Sequence, residues 1–210
     1  MREPLGPMAG HISFALPVRN ARRAGRMLLV EPDAAARAAL SANGYLDARG
    51  LAALRIEFAD RLCHRESARY VAPYEHVFRR RWQTRSGWRF PAPEPGGSAD
   101  VERCYALLGF STEELPFCAE HMGDQPAADH LGAMLYFAAR CLESGGTGNG
   151  IPPLLVEFTQ AHLGIWVEEF CLLLIRSGAG AYLHAVADAV FEAVERIRCL
   201  CTGSERAEVG

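Results

Sequence analysis

Histidines and carboxylates are the residues of this chain that could carry out proton transfer. Asp129 and His130 are adjacent, and His162 lies further along among apolar residues. An imidazole within reach of a carboxylate is a common general acid–base arrangement. However, the chain contains no Gly-x-Ser-x-Gly elbow, Walker loop or His-Glu-x-x-His motif. The sequence therefore predicts a binding protein rather than an enzyme, and it predicts no cofactor.

Metal-ligand spacing is present only in fragments. Cys118-x2-His121 and Cys199-x-Cys201 each resemble one half of a zinc site, and neither has the second pair that a structural site needs. The seven cysteines are odd in number, and several lie in apolar helical patterns. We therefore expect free thiols in a reducing compartment and no metal.

An apolar stripe is predicted on a helix that begins at Pro152. Positions 155, 158, 162, 166, 170 and 173 share one face, so His162 lies between Phe158 and Trp166. A polar group on such a face needs a partner or costs roughly 1–3 kcal/mol. His162 is thus either a core histidine paired with a neighbouring carbonyl or carboxylate, or the polar edge of a groove for an apolar peptide.

An acidic segment lies between Cys104 and Ala139, where the chain has no arginine. Its carboxylates would complement a peptide with two guanidinium groups followed by a hydrophobic stretch, because arginine pairs with a carboxylate through two hydrogen bonds. For Asp129 an equally good explanation is a favourable position in the first turn of a helix that begins at Pro126. The carboxylates of this segment are Glu113, Glu114, Glu120, Asp124 and Asp129.

Four blocks, in their order and spacing, resemble the signature of the TorD/DmsD (NarJ-like) family of cytoplasmic maturation chaperones for molybdenum redox enzymes. The resemblance covers roughly Leu54 to Leu200, and the region before it is shorter than the opening helix pair of that family. Met134 stands where family members commonly have an acidic residue. The blocks are APYEHVF at 72–78, YALLGF at 105–110, QPAADHLGAMLYF at 125–137, and Glu157-Phe158-x3-His162-Leu163-x2-Trp166-x3-Phe170.

The resemblance implies a protein that binds the twin-arginine signal peptide, or also the body, of a molybdopterin-containing oxidoreductase. It also implies a monomer that can exchange halves with a second copy through a hinge at 111–128. In purely structural terms, Tyr74 would pack under a rigid turn and Glu75 would cap the following helix. The implied signal-peptide residues are Tyr74, Glu75, Asp129, His130, Phe158, His162 and Trp166, with an acidic surface at Glu113, Glu114, Glu120 and Asp124.

A basic and aromatic run from Arg79 to Phe90 favours a different class of function. Arginines interleaved with tryptophans suit single-stranded nucleic acid, whose bases stack on aromatic rings and whose phosphates pair with cations. The run is short and solitary, and the acidic segment would repel the same ligand. A helical nucleic-acid-binding regulator is therefore the alternative hypothesis, and a solvated basic face is the simpler one.

Composition sets the broad class. The chain has 210 residues, half of them hydrophobic, which is enough for one well-filled core and excludes a disordered protein. A net charge of −3 favours neither nucleic acid nor an anionic membrane. Arg22-Arg23 precedes the apolar run Met27–Val30, but Glu31-Pro32-Asp33 ends that run too early for a signal sequence. We expect a cytoplasmic protein without stable membrane association.

The pattern of breakers and apolar spacing predicts an all-α domain with no required strand. Proline and glycine are frequent in residues 1–20, so this part is predicted to be flexible and the helical domain to span 21–210. Helices are expected over 33–40, 47–62, 98–108, 126–143 and 152–175, with a last one from Tyr182 to Leu200.

Overall fold

The computed structural model describes residues 13–42, 44–45, 49–85, 87–94, 96–122, 126–145 and 150–208. Within these residues the regular structure is helical apart from one short hairpin, which confirms the all-α prediction. The helices are α1 Ala15–Leu29, α2 Ala34–Ala42, α3 Leu51–Phe58, α4 Glu75–Arg79, α5 Ala99–Leu107, α6 Ala119–Met122, α7 Leu131–Ser144, α8 Pro153–Phe158, α9 Val167–Arg176 and α10 Ala181–Glu208.

Helix α7 lies at the centre of the fold. Its side chains are buried on nearly all faces, as expected of a helix surrounded by other helices. Helix α1 packs along α7 and α10, and α9 packs against α10. The close approach of α1 and α7 is possible because Gly25 and Gly132 face each other without side chains.

The first helix starts earlier than the sequence predicted. Helix α1 begins at Ala15 rather than near Ala21, and it includes Pro17. Proline is tolerated in the first turn of a helix, where its missing N–H has no partner to lose. Residues 1–12, in the rest of the segment predicted to be flexible, lie outside the described residues.

The predicted helix over 152–175 is interrupted in two ways. After α8 the chain continues as a π-helical turn over Thr159–Leu163, closed by a 2.7 Å hydrogen bond from Gly164 N to Thr159 O. A turn at Gly164 and Ile165 then leads to Trp166, the N-cap of α9. A π turn shifts the helical phase by one residue. The predicted helix is therefore not continuous, although Leu155, Phe158, Trp166, Phe170 and Leu173 of the predicted stripe are all buried.

Two other boundaries also differ from the sequence prediction. Helix α7 begins at Leu131 with His130 as its N-cap, five residues after Pro126. Helix α3 begins at Leu51 and runs into a π-helical turn over Ala59–Cys63. The predicted start at Asp47 lies outside the described residues. The helix predicted over 98–108 is confirmed, and Gly109 follows it with the positive φ of +59° that a glycine C-cap needs.

The hairpin lies in the run that the sequence marked as basic and aromatic. Strand β1, Trp82–Thr84, pairs antiparallel with β2, Gly87–Arg89. The prediction that no strands are needed was wrong here, because three-residue strands are too short to show alternation.

Among the described residues, no single helix has the length and apolar character to cross a bilayer. The bent pair Pro153–Leu163 with Val167–Arg176 reaches that length and apolar character only when its two helices are taken together.

Candidate functional site

The two strongest sequence blocks meet in the fold. Tyr74 and His130 form an isolated antiparallel bridge. Leu131 N donates to Pro73 O over 2.7 Å, and Glu75 N donates to Asp129 O over 3.1 Å. These hydrogen bonds hold the chain before α4 against the chain before α7. The 74–76 and 129–131 segments therefore form a single structural unit, which we call the motif junction.

Asp129 supports the start of α4 rather than that of α7. Its Oδ2 accepts a hydrogen bond from His76 N over 2.9 Å and also contacts His76 Nδ1. The carboxylate thus caps a helix that lies 53 residues earlier in the chain. Asp129 is 1% exposed. The sequence counted Asp129 among the carboxylates of the acidic segment and among the signal-peptide residues, but its carboxylate is used inside the protein and does not face solvent.

His130 caps α7 through its own ring. Its Nδ1 accepts a 3.0 Å hydrogen bond from Gly132 N, and its ring meets the edge of Tyr74 at 5.0 Å. Full burial lowers the pKa of His130 to about 3, so the imidazole is neutral. Burial, with a smaller contribution from the nearby Asp129 charge, raises the pKa of Tyr74 to about 12. Both side chains are therefore uncharged at neutral pH.

Glu75 joins α4 to the π-helical turn that contains His162. Its Oε2 lies 2.9 Å from His162 Nδ1, and its Oε1 accepts from Arg79 Nη1 over 3.0 Å. Glu75 is buried, whereas Arg79 is half exposed. The first explanation for His162, a core histidine paired with a carboxylate, thus describes its observed position. Glu75 is the first residue of α4 and makes no side-chain cap of its own.

The apolar stripe around His162 is not an open groove. Phe158 is 0% exposed and Trp166 is 2% exposed. The Trp166 ring lies 5.2 Å from Phe78 and 5.8 Å from Phe170, between α4 and α9. The groove lined by Trp166 is therefore corrected to a part of the core, since the turn at 164–166 directs this side chain inward.

Most of the acidic segment is at the surface. Glu113, Glu114 and Glu120 are exposed, as the sequence predicted, whereas Asp124 lies outside the described residues. The segment is attached to the end of α1 by a 2.8 Å hydrogen bond from Cys118 N to Leu29 O. The exposed carboxylates therefore belong to a segment that is fixed beside the N-terminal helices.

An apolar cavity of about 370 Å³ opens at the same end of α1. Sequence reasoning missed it, because α1 lay in the region that the family resemblance did not cover. The available signal was the apolar run Met27–Val30, which was considered only as a possible export signal. The cavity lies between α1, α2 and α10, and it is lined by Met27, Val30, Ala36, Leu40, Tyr182 and Ala185, with Arg23, Arg26, Glu31 and Asp33 among its charged residues.

Three of the five arginines in the basic and aromatic run form ion pairs within the protein. Arg79 pairs with Glu75, Arg80 with Glu94 and Arg81 with Glu169. The Arg81 guanidinium also lies over the Phe78 ring, 4.2 Å from its centroid. These three cations therefore have partners that a phosphate would have to displace. The geometry gives no support to the nucleic-acid alternative.

Comparison with protein families supplies the context for this geometry. Residues 31–172, more than half of the chain, match the family model described as nitrate reductase delta subunit. No curated protein and no solved structure matches the chain. The matched range contains the motif junction and the acidic segment, and it confirms the resemblance to the NarJ-like chaperones. The chain belongs to the nitrate reductase delta subunit family, a family of chaperones for redox-enzyme maturation.

Proposed function

We propose that this protein binds the twin-arginine leader of the catalytic subunit of a molybdopterin-containing oxidoreductase. Binding in the cytoplasm would delay export of that subunit until its cofactor is inserted. Family membership supports the general role in redox-enzyme maturation. We further propose that it recognises the leader of that enzyme, that it does so in the cytoplasm, and that it uses the surface described below.

The observation that carries the proposal is an apolar cavity next to an acidic segment. Met27, Val30 and Leu40 supply apolar walls, and Glu31 and Asp33 lie at the same cavity. The segment with exposed Glu113, Glu114 and Glu120 is fixed to the end of α1 beside it. A leader has two guanidinium groups followed by apolar residues, so its two parts match the two parts of this surface.

The surface has competing cations of its own. Arg26 Nη2 lies 3.6 Å from Asp33 Oδ2, and Arg55 Nε lies 3.6 Å from Glu31 Oε2. Both arginines are about half exposed, so these pairs are loose and weak. Leader arginines that pair with two oxygens of one carboxylate would compete with them on favourable terms. The proposed action is occupancy of the leader, with no chemical step.

Filling the cavity is the first test. Ala36 lines the cavity on α2, whereas Ala38 is exposed on the same helix and does not line it. We expect Ala36→Phe to weaken binding of a synthetic Arg-Arg leader peptide by about tenfold or more in calorimetric titration, equal to about 1.4 kcal/mol. Ala38→Phe should bind like the wild type. Equal affinity of the two variants would exclude the cavity as the leader site.

Removing surface charge is the second arm. The double variant Glu113→Gln with Glu114→Gln should weaken leader binding and reduce its salt dependence, because salt screens the attraction between exposed charges over a Debye length that shortens as salt is added, and is about 8–10 Å at 0.10–0.15 M. The matched control removes two exposed carboxylates elsewhere, with Glu157→Gln on α8 and Glu168→Gln on α9. A leader affinity that responds equally to both doubles would contradict a specific role of the acidic segment.

A further inference from the structure

Three potential metal ligands from two distant parts of the chain converge beside the cavity. The ligand atoms of Glu31, Cys118 and His121 all lie within 4.8 Å of one another. Glu31 follows α1, whereas Cys118 immediately precedes α6 and His121 lies within it. By sequence alone, Cys118-x2-His121 was recognisable as half of a site. The fold supplies a third ligand from a residue 90 positions from His121.

Local backbone structure explains why these side chains face one another. His121 N donates to Cys118 O over 3.1 Å, so one tight turn puts both side chains on the same side. The hydrogen bond from Cys118 N to Leu29 O holds that turn against the end of α1. His121 Nε2 then lies 3.0 Å from Glu31 Oε1. The three groups are partly buried, which limits competition from water.

The surroundings are those of a supported site. The second oxygen of Glu31, Oε2, faces Arg55 Nε at 3.6 Å, and Arg55 Nε also donates to Pro32 O over 3.1 Å. The His64 ring meets the His121 ring edge-on at 5.2 Å. Groups that hold the outer side of a ligand fix its orientation and commonly accompany metal ligands. Arg55 would hold Oε2 of Glu31 while Oε1 of Glu31 binds an ion.

We propose that Glu31, Cys118 and His121 bind one zinc-class divalent cation, with a fourth position open to water. Thiolate, imidazole and carboxylate are all zinc ligands, at about 2.3, 2.0–2.1 and 2.0–2.2 Å respectively. Tetrahedral geometry at these bond lengths puts ligand atoms about 3.3–3.8 Å apart. Small side-chain rotations from the observed separations reach that spacing. Mg²⁺ and Ca²⁺, which prefer oxygen ligands, would not suit the thiolate.

Such an ion would clamp the acidic segment to the end of α1. The Cys118 backbone hydrogen bond and the contact between His121 and Glu31 already attach the segment there. Three metal–ligand bonds would replace the contact between His121 and Glu31, and they would hold the segment more strongly than that contact does. Metal binding at this site does not require leader binding, so the two can be tested separately.

Cobalt substitution of the purified, reduced, full-length protein tests the site directly. We expect one equivalent of Co²⁺ to bind saturably, with a thiolate-to-cobalt charge-transfer band in the near ultraviolet and d–d bands of tetrahedral strength, all removed by Zn²⁺. Cys118→Ser should abolish the charge-transfer band. Glu31→Gln and His121→Gln should each weaken binding by about tenfold or more. Cys199→Ser, at an exposed thiol, should leave every signal unchanged.

Thermal unfolding provides a second readout that does not depend on cobalt spectra. Zinc at a concentration well above its Kd should raise the melting temperature of the wild type and of Cys199→Ser, because an ion that binds only the folded state stabilises it. The melting temperatures of Cys118→Ser and His121→Gln should rise by clearly less at the same zinc concentration. The proposal is overturned if the wild type binds no cobalt, if Cys118→Ser keeps the charge-transfer band, or if Cys199→Ser loses it.

Discussion

At the scale of single residues, the side chains that carry the family signature support the fold from inside. Asp129 caps α4, His130 caps α7 and Glu75 links α4 to His162. Each is buried, so a substitution at any of them changes folding before it changes a surface. An affinity lost on mutation of these residues is therefore no proof of direct contact with a partner.

His130 should make the stability of the protein depend on pH. Its pKa is about 3 in the folded protein, against a reference value of 6.5. Between these values the unfolded chain binds a proton that the folded protein does not, so stability rises with pH across this range. Protonation of His130 in the unfolded chain therefore costs little stability above pH 6.5, and at pH 5 it lowers the free energy of unfolding by about 2 kcal/mol. Urea unfolding of wild type and His130→Asn at about pH 7 and about pH 5 measures this change.

The asparagine variant is the matched comparison for this prediction. Asparagine can still cap α7, because its side-chain oxygen accepts from the same backbone N–H groups, but it does not titrate. Lost packing should make His130→Asn less stable than the wild type at neutral pH by roughly 1–3 kcal/mol. That gap should narrow by about 2 kcal/mol at about pH 5. Parallel pH dependences of the two proteins would show that His130 is not held neutral.

At the scale of elements, the contact between α1 and α7 determines how the core closes. A Cβ on Gly25 would lie 2.8 Å from Gly132 O, and a Cβ on Gly132 would lie 2.6 Å from Leu29 Cγ. Both distances are shorter than van der Waals contact. The two helices can approach this closely only where glycines face each other.

Alanine at these positions should destabilise the protein although alanine favours helices. We expect Gly25→Ala and Gly132→Ala each to lower the free energy of unfolding by about 1–3 kcal/mol through overpacking. Gly203→Ala is the control, because Gly203 is exposed in α10 and a Cβ added there would meet no atom within 4 Å. It should gain about 0.5–1 kcal/mol from helix propensity. A stabilised Gly25→Ala protein would contradict the close packing.

At the scale of the whole molecule, the major contacts of the core join the two halves of the chain. Helix α1 packs on α7 and α10, which both follow the segment 111–128. Of the described residues in this segment, Glu113, Glu114 and Glu120 are exposed. The segment is attached through the hydrogen bond from Cys118 N to Leu29 O, the contact of His121 with Glu31 and the hydrogen bond from the Tyr105 hydroxyl to Ala128 O. The same contacts between α1 and α7 could therefore form between two chains.

A dimer that exchanges its halves through 111–128 is the corresponding prediction. Identical contacts in monomer and dimer make such an exchange inexpensive, so mild denaturant followed by dilution at high protein concentration should increase the dimer fraction. Size-exclusion chromatography with light scattering measures it. The Cys199→Ser variant under reducing conditions removes disulfide-linked dimers through the exposed thiol. Protein that stays monomeric through this treatment would contradict the exchange.

The sequence by itself determined the helical class, the family and several helix boundaries. Apolar spacing, a capping aspartate at Asp33 and a glycine at Gly109 act through neighbouring residues, so they can be recognised along the chain. The 72–78 and 125–137 blocks were recognised by resemblance, although their contact with each other was not. These features depend on local backbone preference or on family signature, and neither requires knowledge of the packing.

Only the tertiary structure decided which of the candidate residues are accessible. Asp129 and Trp166 are polar and aromatic residues of the kind expected at a binding surface, yet both are buried by partners far away in the sequence. Glu31 approaches Cys118 and His121 for the same reason. Burial and convergence depend on contacts between distant segments, and helical periodicity carries no information about which segments will meet.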